Sequence, residues 1–187
     1  MSRIDYFYFM VDVSNSMSGR KIGAVNDALN NIVFRLKKIM RSQGVSANII
    51  LLTYADNVRW SNVLPESVDS FVFTDLNVEG TASNLGLALS ELDSKLKRQS
   101  EARGDEDYVT TIVLFSDGLS TDEYKDKLEI LNQNVLYNAS NRIGVTFKSD
   151  LLADISLKMF KDFCNSEENI IIDSFQQLNQ AIFNMYR

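Results

Sequence analysis

Three oxygen-bearing side chains at alternate positions, Asp12, Ser14 and Ser16, follow directly on an apolar run over residues 6–11. A buried strand is expected to end there and open into a loop, where the three side chains can turn toward one point. Together they supply one carboxylate and two hydroxyls, which are hard oxygen donors. Such donors suit Mg²⁺, Mn²⁺ or Ca²⁺ rather than zinc or copper. The spacing therefore predicts a divalent-cation site at the end of the first strand.

Two later loops carry the same kinds of donor. Residues 79–86 include Thr81 and Ser83 before a predicted helix, and residues 116–118 place Asp117 after a later apolar run. Each loop alone has an ordinary structural explanation, because serine and threonine cap helices and Asp-Gly is a common turn pair. The occurrence of all three loops at strand ends favours a shared site.

The composition excludes several other kinds of chemistry. The 187 residues contain no histidine, which removes the commonest general base, Ser-His-Asp triads and histidine zinc sites. The single cysteine, Cys164, lies in an amphipathic stretch and is interpreted as a core residue. The net charge of −6 argues against nucleic-acid binding, which normally needs a basic surface. We therefore expect no nucleic-acid partner and no catalytic residue.

Apolar runs alternate with helical patterns along the chain. Strands are predicted over residues 6–11, 47–54, 109–115, 143–147 and 169–172, and helices over residues 21–43, 85–97, 121–131 (with Thr121 as N-cap), 151–164 and 175–186. Short β-like pieces at 58–60 and 71–73 flank Pro65, which favours an edge strand or an irregular crossing, and residues 99–107 are predicted to form a surface loop. The alternation predicts an α/β fold with a mostly parallel sheet and helices on both faces.

Length and hydropathy bound the organisation of the chain. Residues 1–187 are most simply one domain, long enough to bury a full core. No run reaches the roughly 18 apolar residues that a membrane helix needs. Residues 1–5 do not resemble the start of a signal peptide. We therefore expect no membrane partner and a cytoplasmic location.

The predicted topology brings the two acids together. In open α/β sheets, ligands bind beyond the carboxyl ends of the strands, at the point where the strand order reverses. Asp12 and Asp117 each follow a separate predicted strand. We therefore expect the two carboxylates at one rim of the sheet.

The three loops, in this order, resemble the von Willebrand factor A (vWA) domain family. The likeness rests on Asp-x-Ser-x-Ser at residues 12–16, a Gly-Thr loop leading to Ala-Leu at residues 80–89, and Ser-Asp-Gly at residues 116–118. It extends over essentially the whole chain and implies a sheet whose edge strand near Val58 runs antiparallel. It also implies a metal-ion-dependent adhesion site (MIDAS) holding Mg²⁺, with Mn²⁺ or Ca²⁺ as alternatives, to which a partner protein adds an acidic residue.

The resemblance also assigns metal ligands. From the first and third loops these are Asp12, Ser14, Ser16 and Asp117. For the second loop, counting back from Ala88-Leu89 favours Ser83, whereas the Gly-Thr pair favours Thr81. We prefer Ser83 and keep Thr81 as a close alternative.

Residues 10–19 and 114–122 look like the bacterial TerY-like branch of the family, which is linked with tellurite resistance and stress. This implies a non-enzymatic adaptor, with a protein kinase or a serine/threonine phosphatase as a partner. One alternative is a Mg²⁺-dependent phosphohydrolase of haloacid-dehalogenase type, but such enzymes need a second acid where this chain has Ser14. Another is a receiver-like phospho-acceptor, which would require a pair of acids and a lysine at the end of a later strand. Asp12 has no acidic neighbour in its loop, and the strand at 143–147 is followed by a lysine only at Lys148.

Overall fold

The computed structural model describes residues 3–103, 108–147 and 153–186. Its strands are β1 (Ile4–Asp12), β2 (Ser46–Tyr54), β3 (Val58–Trp60), β4 (Glu66–Ser67), β5 (Tyr108–Phe115), β6 (Asn141–Thr146) and β7 (Ile170–Ile172). Its helices are α1 (Arg20–Gln43), α2 (Leu85–Arg103), α3 (Tyr124–Leu131), α4 (Val135–Ala139), α5 (Ala153–Phe163) and α6 (Phe175–Phe183). Short 3₁₀ turns lie at Asn15–Met17, Glu167–Asn169 and Asn184–Tyr186.

The strands form one sheet in the order β3-β2-β1-β5-β6-β7, and β4 also pairs with β2. Strand β1 is parallel to β2 and to β5, whereas β3 and β4 are antiparallel to β2. The strand order reverses at β1, because the chain leaves it toward β2 on one side and later returns to β5 on the other. This arrangement confirms the predicted α/β class and the antiparallel edge strand at Val58.

Both faces of the sheet are buried, and β1 supplies side chains to both. Phe7 and Phe9 face a core shared with α1 and α6, whereas Tyr6 and Tyr8 face a core shared with α2 to α5. Alternate side chains of a strand point to opposite faces, so a strand covered on both sides must be apolar throughout. This explains the unbroken apolar run that precedes Asp12.

Helix α5 packs unusually close to β6 at Gly144. A Cβ at this position would lie 2.3 Å from Phe160 Cδ1 and 3.0 Å from Cys164 Sγ, so only glycine allows this approach. Cys164 is buried here as a free thiol, as predicted, and burial raises the pKa of that thiol to about 12.

Two segments differ from the sequence-based prediction. Residues 71–73 form no strand; their segment instead runs along α1, where Lys37 Nζ donates to the Phe71 carbonyl at 2.8 Å. In addition to β3, the short strand β4 pairs with β2; it consists of Glu66 and Ser67, directly after Pro65. Residues 99–103 belong to α2 rather than to a loop, since Gln99 is buried and accepts a hydrogen bond from Tyr8 Oη.

Other helix ends also differ. Helix α3 begins at Tyr124 without Thr121 as its N-cap, and the short helix α4 was not predicted. The predicted final helix becomes a 3₁₀ turn after Phe183. Residues 104–107, Lys148 and the first two residues of the predicted helix at 151–164 lie outside the described residues. Among the described helices, none is long and apolar enough to cross a membrane.

The opposite end of β1 is tied to the carboxyl-terminal turn. Asp5 is buried, and its carboxylate accepts hydrogen bonds from Arg3 Nε at 2.7 Å and from Tyr186 Oη at 2.5 Å. The Tyr186 carbonyl in turn accepts from Gln43 Nε2 at the end of α1. This contact joins β1, α1 and the last turn of the chain.

Candidate metal centre

Asp12 is the last residue of β1 and is fully buried. Its Oδ1 accepts a hydrogen bond from the Ser14 amide at 2.9 Å. Its Oδ2 accepts from Ser83 Oγ at 2.7 Å and from Ser116 Oγ at 3.1 Å. One carboxylate therefore connects the first, second and third loops.

The first loop is a single 3₁₀ turn held against the second loop. Ser14 Oγ and Ser16 Oγ lie 3.0 Å apart, with Ser14 buried and Ser16 exposed at the rim. The Asn15 amide donates to the Gly80 carbonyl at 2.7 Å, and the buried Met17 anchors the end of the turn. Neither serine caps a helix with its side chain, and both hydroxyls are instead directed toward the cluster around Asp12.

The two candidate hydroxyls of the second loop have different surroundings. Ser83 is buried and bonds Asp12, whereas Thr81 is exposed and donates through Oγ1 to Asp56 Oδ1 at 3.2 Å. The structure thus brings Ser83 into the cluster and leaves Thr81 beside Asp56. Thr121 does not cap α3; its Oγ1 accepts from the Ser83 amide at 2.9 Å and fixes that residue.

Asp56 is a structural residue that the sequence analysis missed. Its carboxylate accepts from the amides of Ala82, at 2.9 Å, and Thr81, at 3.1 Å, and these bonds lower its pKa. The only sequence signal was an acid in the turn after β2. Gly80 lies so close that a Cβ there would be 2.5 Å from Asp56 Oδ2 and 2.8 Å from Ala55 Cβ. The second loop is therefore fixed by its neighbours before any ligand binds.

The third loop supplies the second buried acid. Asp117 is 3% exposed; its Oδ2 lies 2.9 Å from Lys21 Nζ, and its Oδ1 accepts from the Leu119 amide at 3.3 Å. Ser116 Oγ accepts from the Gly118 amide at 3.0 Å while donating to Asp12. Gly118 has φ 84°, a left-handed conformation that glycine adopts without strain. Neither Lys21 nor Ser116 was assigned a role from the sequence.

The electrostatics of the cluster favour a bound cation. Burial is the main cause that raises the pKa of Asp12, and the nearby charge of Asp117 raises it further. Hydrogen bonds from Ser14 and Ser83 oppose this shift but do not cancel it. Lys21 pairs with Asp117 and not with Asp12, so a cation that contacted Asp12 would offset both the desolvation and the like-charge repulsion that oppose its ionisation.

The donor set fits a hard divalent ion. It consists of carboxylate and hydroxyl oxygens, in which Asp12 and Asp117 are the charged ligands and Lys21 Nζ lies beside Asp117. Within the described residues, no group of three acidic, histidine or cysteine side chains could hold a metal ion. A metal at this rim would therefore depend on the serine hydroxyls in addition to the two carboxylates. Such oxygen ligands are those that Mg²⁺, Mn²⁺ and Ca²⁺ prefer.

The fold is shared with solved structures of low sequence identity. The pilus adhesin SpaC from Lactobacillus rhamnosus GG is 11% identical, with a TM-score of 0.68, over 100% of this chain and 30% of that protein. Proximal thread matrix protein 1 from the mussel byssus is 12% identical, with a TM-score of 0.65, over 97% of this chain and 46% of that protein. The chain thus spans less than half the length of either protein, and identities this low show the fold alone.

Two further structures extend the comparison. The SpRpn10 VWA domain is 17% identical, with a TM-score of 0.61, over 96% of this chain and 94% of that domain. A second structure of the mussel protein, with a TM-score of 0.58, has a zinc-occupied MIDAS motif. A search of curated proteins gave no match. The family model of the von Willebrand factor type A domain matches residues 7–182, which include β3 and β7 at the two edges of the sheet and all three loops. The chain therefore belongs to the von Willebrand factor type A domain family.

Proposed function

We propose that this domain is a non-enzymatic protein-binding module that docks a partner through a divalent cation. The ligands would be Asp12, Ser14, Ser16, Ser83 and Asp117. The observation that carries the proposal is the carboxylate of Asp12, which is buried, hydrogen-bonded to serines of three loops and close enough to Asp117 for their charges to interact.

The charge balance explains how such an ion could recruit a protein. Two carboxylates neutralise a divalent ion, and serine hydroxyls add no further charge. Ser16 lies exposed at the rim, so a coordination position beside it can face solvent. A carboxylate from a partner would bind there more favourably than water, because an anionic oxygen interacts more strongly with the electrophilic ion than the oxygen of a neutral water molecule does. The partner is thus expected to contribute an aspartate or glutamate.

Mg²⁺ is the proposed ion, with Mn²⁺ and Ca²⁺ as alternatives. Zinc sites usually contain nitrogen or sulfur ligands. This chain has no histidine, and Cys164 lies in the core between α5 and β6 rather than at the rim. The mussel protein shows that a vWA fold can hold zinc at a MIDAS. The oxygen-only donor set of the present rim supports a harder ion.

The biological process and the class of partner that we propose follow from the local resemblance of residues 10–19 and 114–122 to the TerY-like branch. It supports an adaptor in a bacterial stress or tellurite-resistance system, with a protein kinase or a serine/threonine phosphatase as partner. On this proposal residues 1–187 form one vWA domain, and its action depends on other proteins. The cytoplasmic location stays a prediction from the sequence.

The metal ligands are tested by calorimetric titration of Mg²⁺ into matched hydroxyl deletions. Ser83→Ala should weaken Mg²⁺ binding about tenfold or more, because it removes a donor and the hydrogen bond that orients Asp12. Thr81→Val, which removes the hydroxyl two residues away, should change the affinity less than about twofold, because the Thr81 hydroxyl donates to Asp56 and not to Asp12. The reverse order of the two effects would assign the second-loop ligand to Thr81.

Partner docking is tested by capture from native lysate in Mg²⁺ and in EDTA. A protein retained by the wild type only with Mg²⁺, and lost with Ser14→Ala/Ser16→Ala, would support docking through the ion. Retention that ignores both metal and mutation would move the interaction surface away from Asp12. Turnover of an aryl phosphate with Mg²⁺ that is lost in Asp12→Asn would instead favour the phosphohydrolase.

A further inference from the structure

A lysine side chain reaches the rim of the proposed metal site. Lys21 Nζ lies 2.9 Å from Asp117 Oδ2 and 2.9 Å from the backbone carbonyl oxygen of Ser16. The Lys21 side chain is 28% exposed, whereas that of Asp117 is 3% exposed. The ammonium group therefore joins the first and third loops through a partly buried ion pair.

This position runs against the electrostatics of the helix that carries the lysine. Helix α1 begins with Arg20 and Lys21, and its first turn contains no acidic residue. The amino-terminal end of a helix bears a partial positive charge and favours anions there. A lysine at this point is stabilised by a negatively charged partner from elsewhere in the fold. Asp117, from a loop 96 residues further along the chain, supplies it.

The ion pair occupies an oxygen that the metal would need. Asp117 Oδ2 accepts from Lys21, and Oδ1 accepts from the Leu119 amide, so both oxygens are engaged. A divalent ion bound to Asp117 Oδ2 would stand next to the ammonium group, and two cations so close repel each other strongly in a partly desolvated site. The metal and Lys21 cannot both interact fully with Asp117.

We propose that Lys21 is a built-in counter-cation that competes with the divalent ion for Asp117 and lowers the metal affinity of the site. The inference rests on the proposed metal site, because it gives Lys21 a role toward the ion bound there. Without metal, the ammonium holds the two loops together and offsets the charge of Asp117. When metal binds, the ammonium leaves Asp117 and remains at the rim.

The test compares Mg²⁺ titrations of the wild type, Lys21→Met and Lys38→Met after EDTA has been dialysed away. Both variants remove one positive charge from α1, but Lys38 is exposed and lies far along the helix. Lys21→Met should bind Mg²⁺ about tenfold or more tightly than the wild type, because the competing charge is gone. Lys38→Met should remain within about twofold of the wild type, because an exposed charge is screened.

A second readout follows folding without metal. In EDTA, Lys21→Met should melt at a lower temperature than the wild type, and Mg²⁺ should raise its melting temperature by more than it raises that of the wild type. Lys21→Arg keeps the charge and should bind Mg²⁺ no more tightly than the wild type. Lys21→Gln serves as the neutral variant if Lys21→Met does not fold.

The outcomes separate this inference from the metal site itself. Mg²⁺ binding by the wild type that is unchanged or weaker in the neutral Lys21 variants would overturn the competition and leave the metal site standing. No Mg²⁺ binding by the wild type or by the neutral variants would overturn both. Binding that becomes measurable only when Lys21 is neutralised would support the competition in its strongest form.

Discussion

Asp12 carries a charge that the folded chain itself disfavours. The carboxylate is fully buried, and three serines donate to it directly or through the backbone. These bonds reduce the cost of burial, but the pKa of Asp12 remains raised, mainly by desolvation. A bound cation would offset the remaining cost of burying this charge, so the metal-free fold already favours cation binding at Asp12.

The raised pKa of Asp12 should give the proposed metal site a pH dependence. A divalent ion needs the ionised carboxylate, so protons compete with it. Because burial raises the pKa, this competition should begin at a higher pH than for an ordinary aspartate, whose value is 3.8. We expect Mg²⁺ affinity to fall as the pH is lowered from 7, measured by calorimetry in buffers of matched ionic strength. An affinity that stays constant down to pH 4 would contradict this.

The same shift predicts an opposite effect on the metal-free domain. A raised pKa in the folded state means that folding binds protons, so this contribution to stability is present below the unfolded pKa and is lost as the pH rises through the folded pKa. Asp12→Asn removes the charge at every pH. In EDTA at pH 7 it should therefore raise the melting temperature, and it should abolish stabilisation by Mg²⁺. A lower melting temperature in EDTA would show that the hydrogen bonds accepted by the two carboxylate oxygens outweigh the cost of burying the charge.

Residue types and spacing predicted the rim, and the fold shows how the surroundings of neighbouring hydroxyls differ. Asp12 and Asp117 were predicted because each follows an apolar run at a strand end. In the sequence, the spacing to Ala88-Leu89 favoured Ser83 and the Gly-Thr pair favoured Thr81. In the structure, Ser83 Oγ donates to Asp12, whereas Thr81 Oγ1 donates to Asp56, which follows a different strand. Lys21 was missed because a lysine at a helix start looks like a solvated side chain; its conflict with the helix dipole was the available signal.

At the scale of elements, the conformation of the second loop depends on the close approach of its backbone to the first loop and to the end of β2. Gly80 Cα lies against Ala55 and Asp56, and the Gly80 carbonyl accepts from the Asn15 amide. Only glycine allows the loop to approach both the first loop and the end of β2. The position of Ser83, three residues later, therefore depends on the absence of a side chain at residue 80.

Gly80→Ala should accordingly damage stability and metal binding together. The new Cβ would meet Ala55 Cβ at 2.8 Å, so the loop must shift, at a cost of about 1–3 kcal/mol of folding free energy. Mg²⁺ affinity should fall because Ser83 moves with the loop. Gly144→Ala is the matched control, since its Cβ would meet Phe160 between β6 and α5. It should lower the urea midpoint without changing Mg²⁺ affinity.

The elements that the sequence misassigned were decided by long-range packing. Residues 71–73 have strand-like composition, yet α1 holds their segment through a lysine side chain, and none of the strands described for this chain pairs with it. Residues 99–103 are polar enough for a loop, but Gln99 is buried against β1, and this favours continuation of α2. Local propensity is a weak guide where tertiary contacts of this kind decide.

At the scale of the whole molecule, β1 carries a buried acid at each end. Asp12 lies at the rim, and Asp5 lies at the opposite end under Tyr186. The alternation of strands and helices predicted the fold class, because parallel crossovers need helices between strands. It did not specify that the last turn of the chain closes over Asp5, since no local pattern encodes that contact.

Tyr186→Phe should weaken the whole domain without affecting the rim. It removes a hydrogen bond to a buried carboxylate, which is worth about 1–3 kcal/mol of unfolding free energy. Tyr124→Phe is the control, because Tyr124 Oη bonds the exposed carboxylate of Asp162 at 3.2 Å and should cost less than about 1 kcal/mol. Urea unfolding measures both. Equal losses of unfolding free energy in the two variants would show that the Tyr186 hydrogen bond to buried Asp5 stabilises the domain no more than an exposed one does.

The close packing of α5 on Gly144 also means that the rate at which a reagent labels Cys164 can report how often this part of the domain opens. It is the only thiol in the chain, it is buried, and its pKa is raised to about 12. A thiol reagent reacts with the thiolate, so the native protein should be labelled only when α5 separates from β6. The labelling rate near pH 8 should therefore report that opening, with no introduced probe. Its change on adding Mg²⁺ would show whether an ion at the rim restrains this helix.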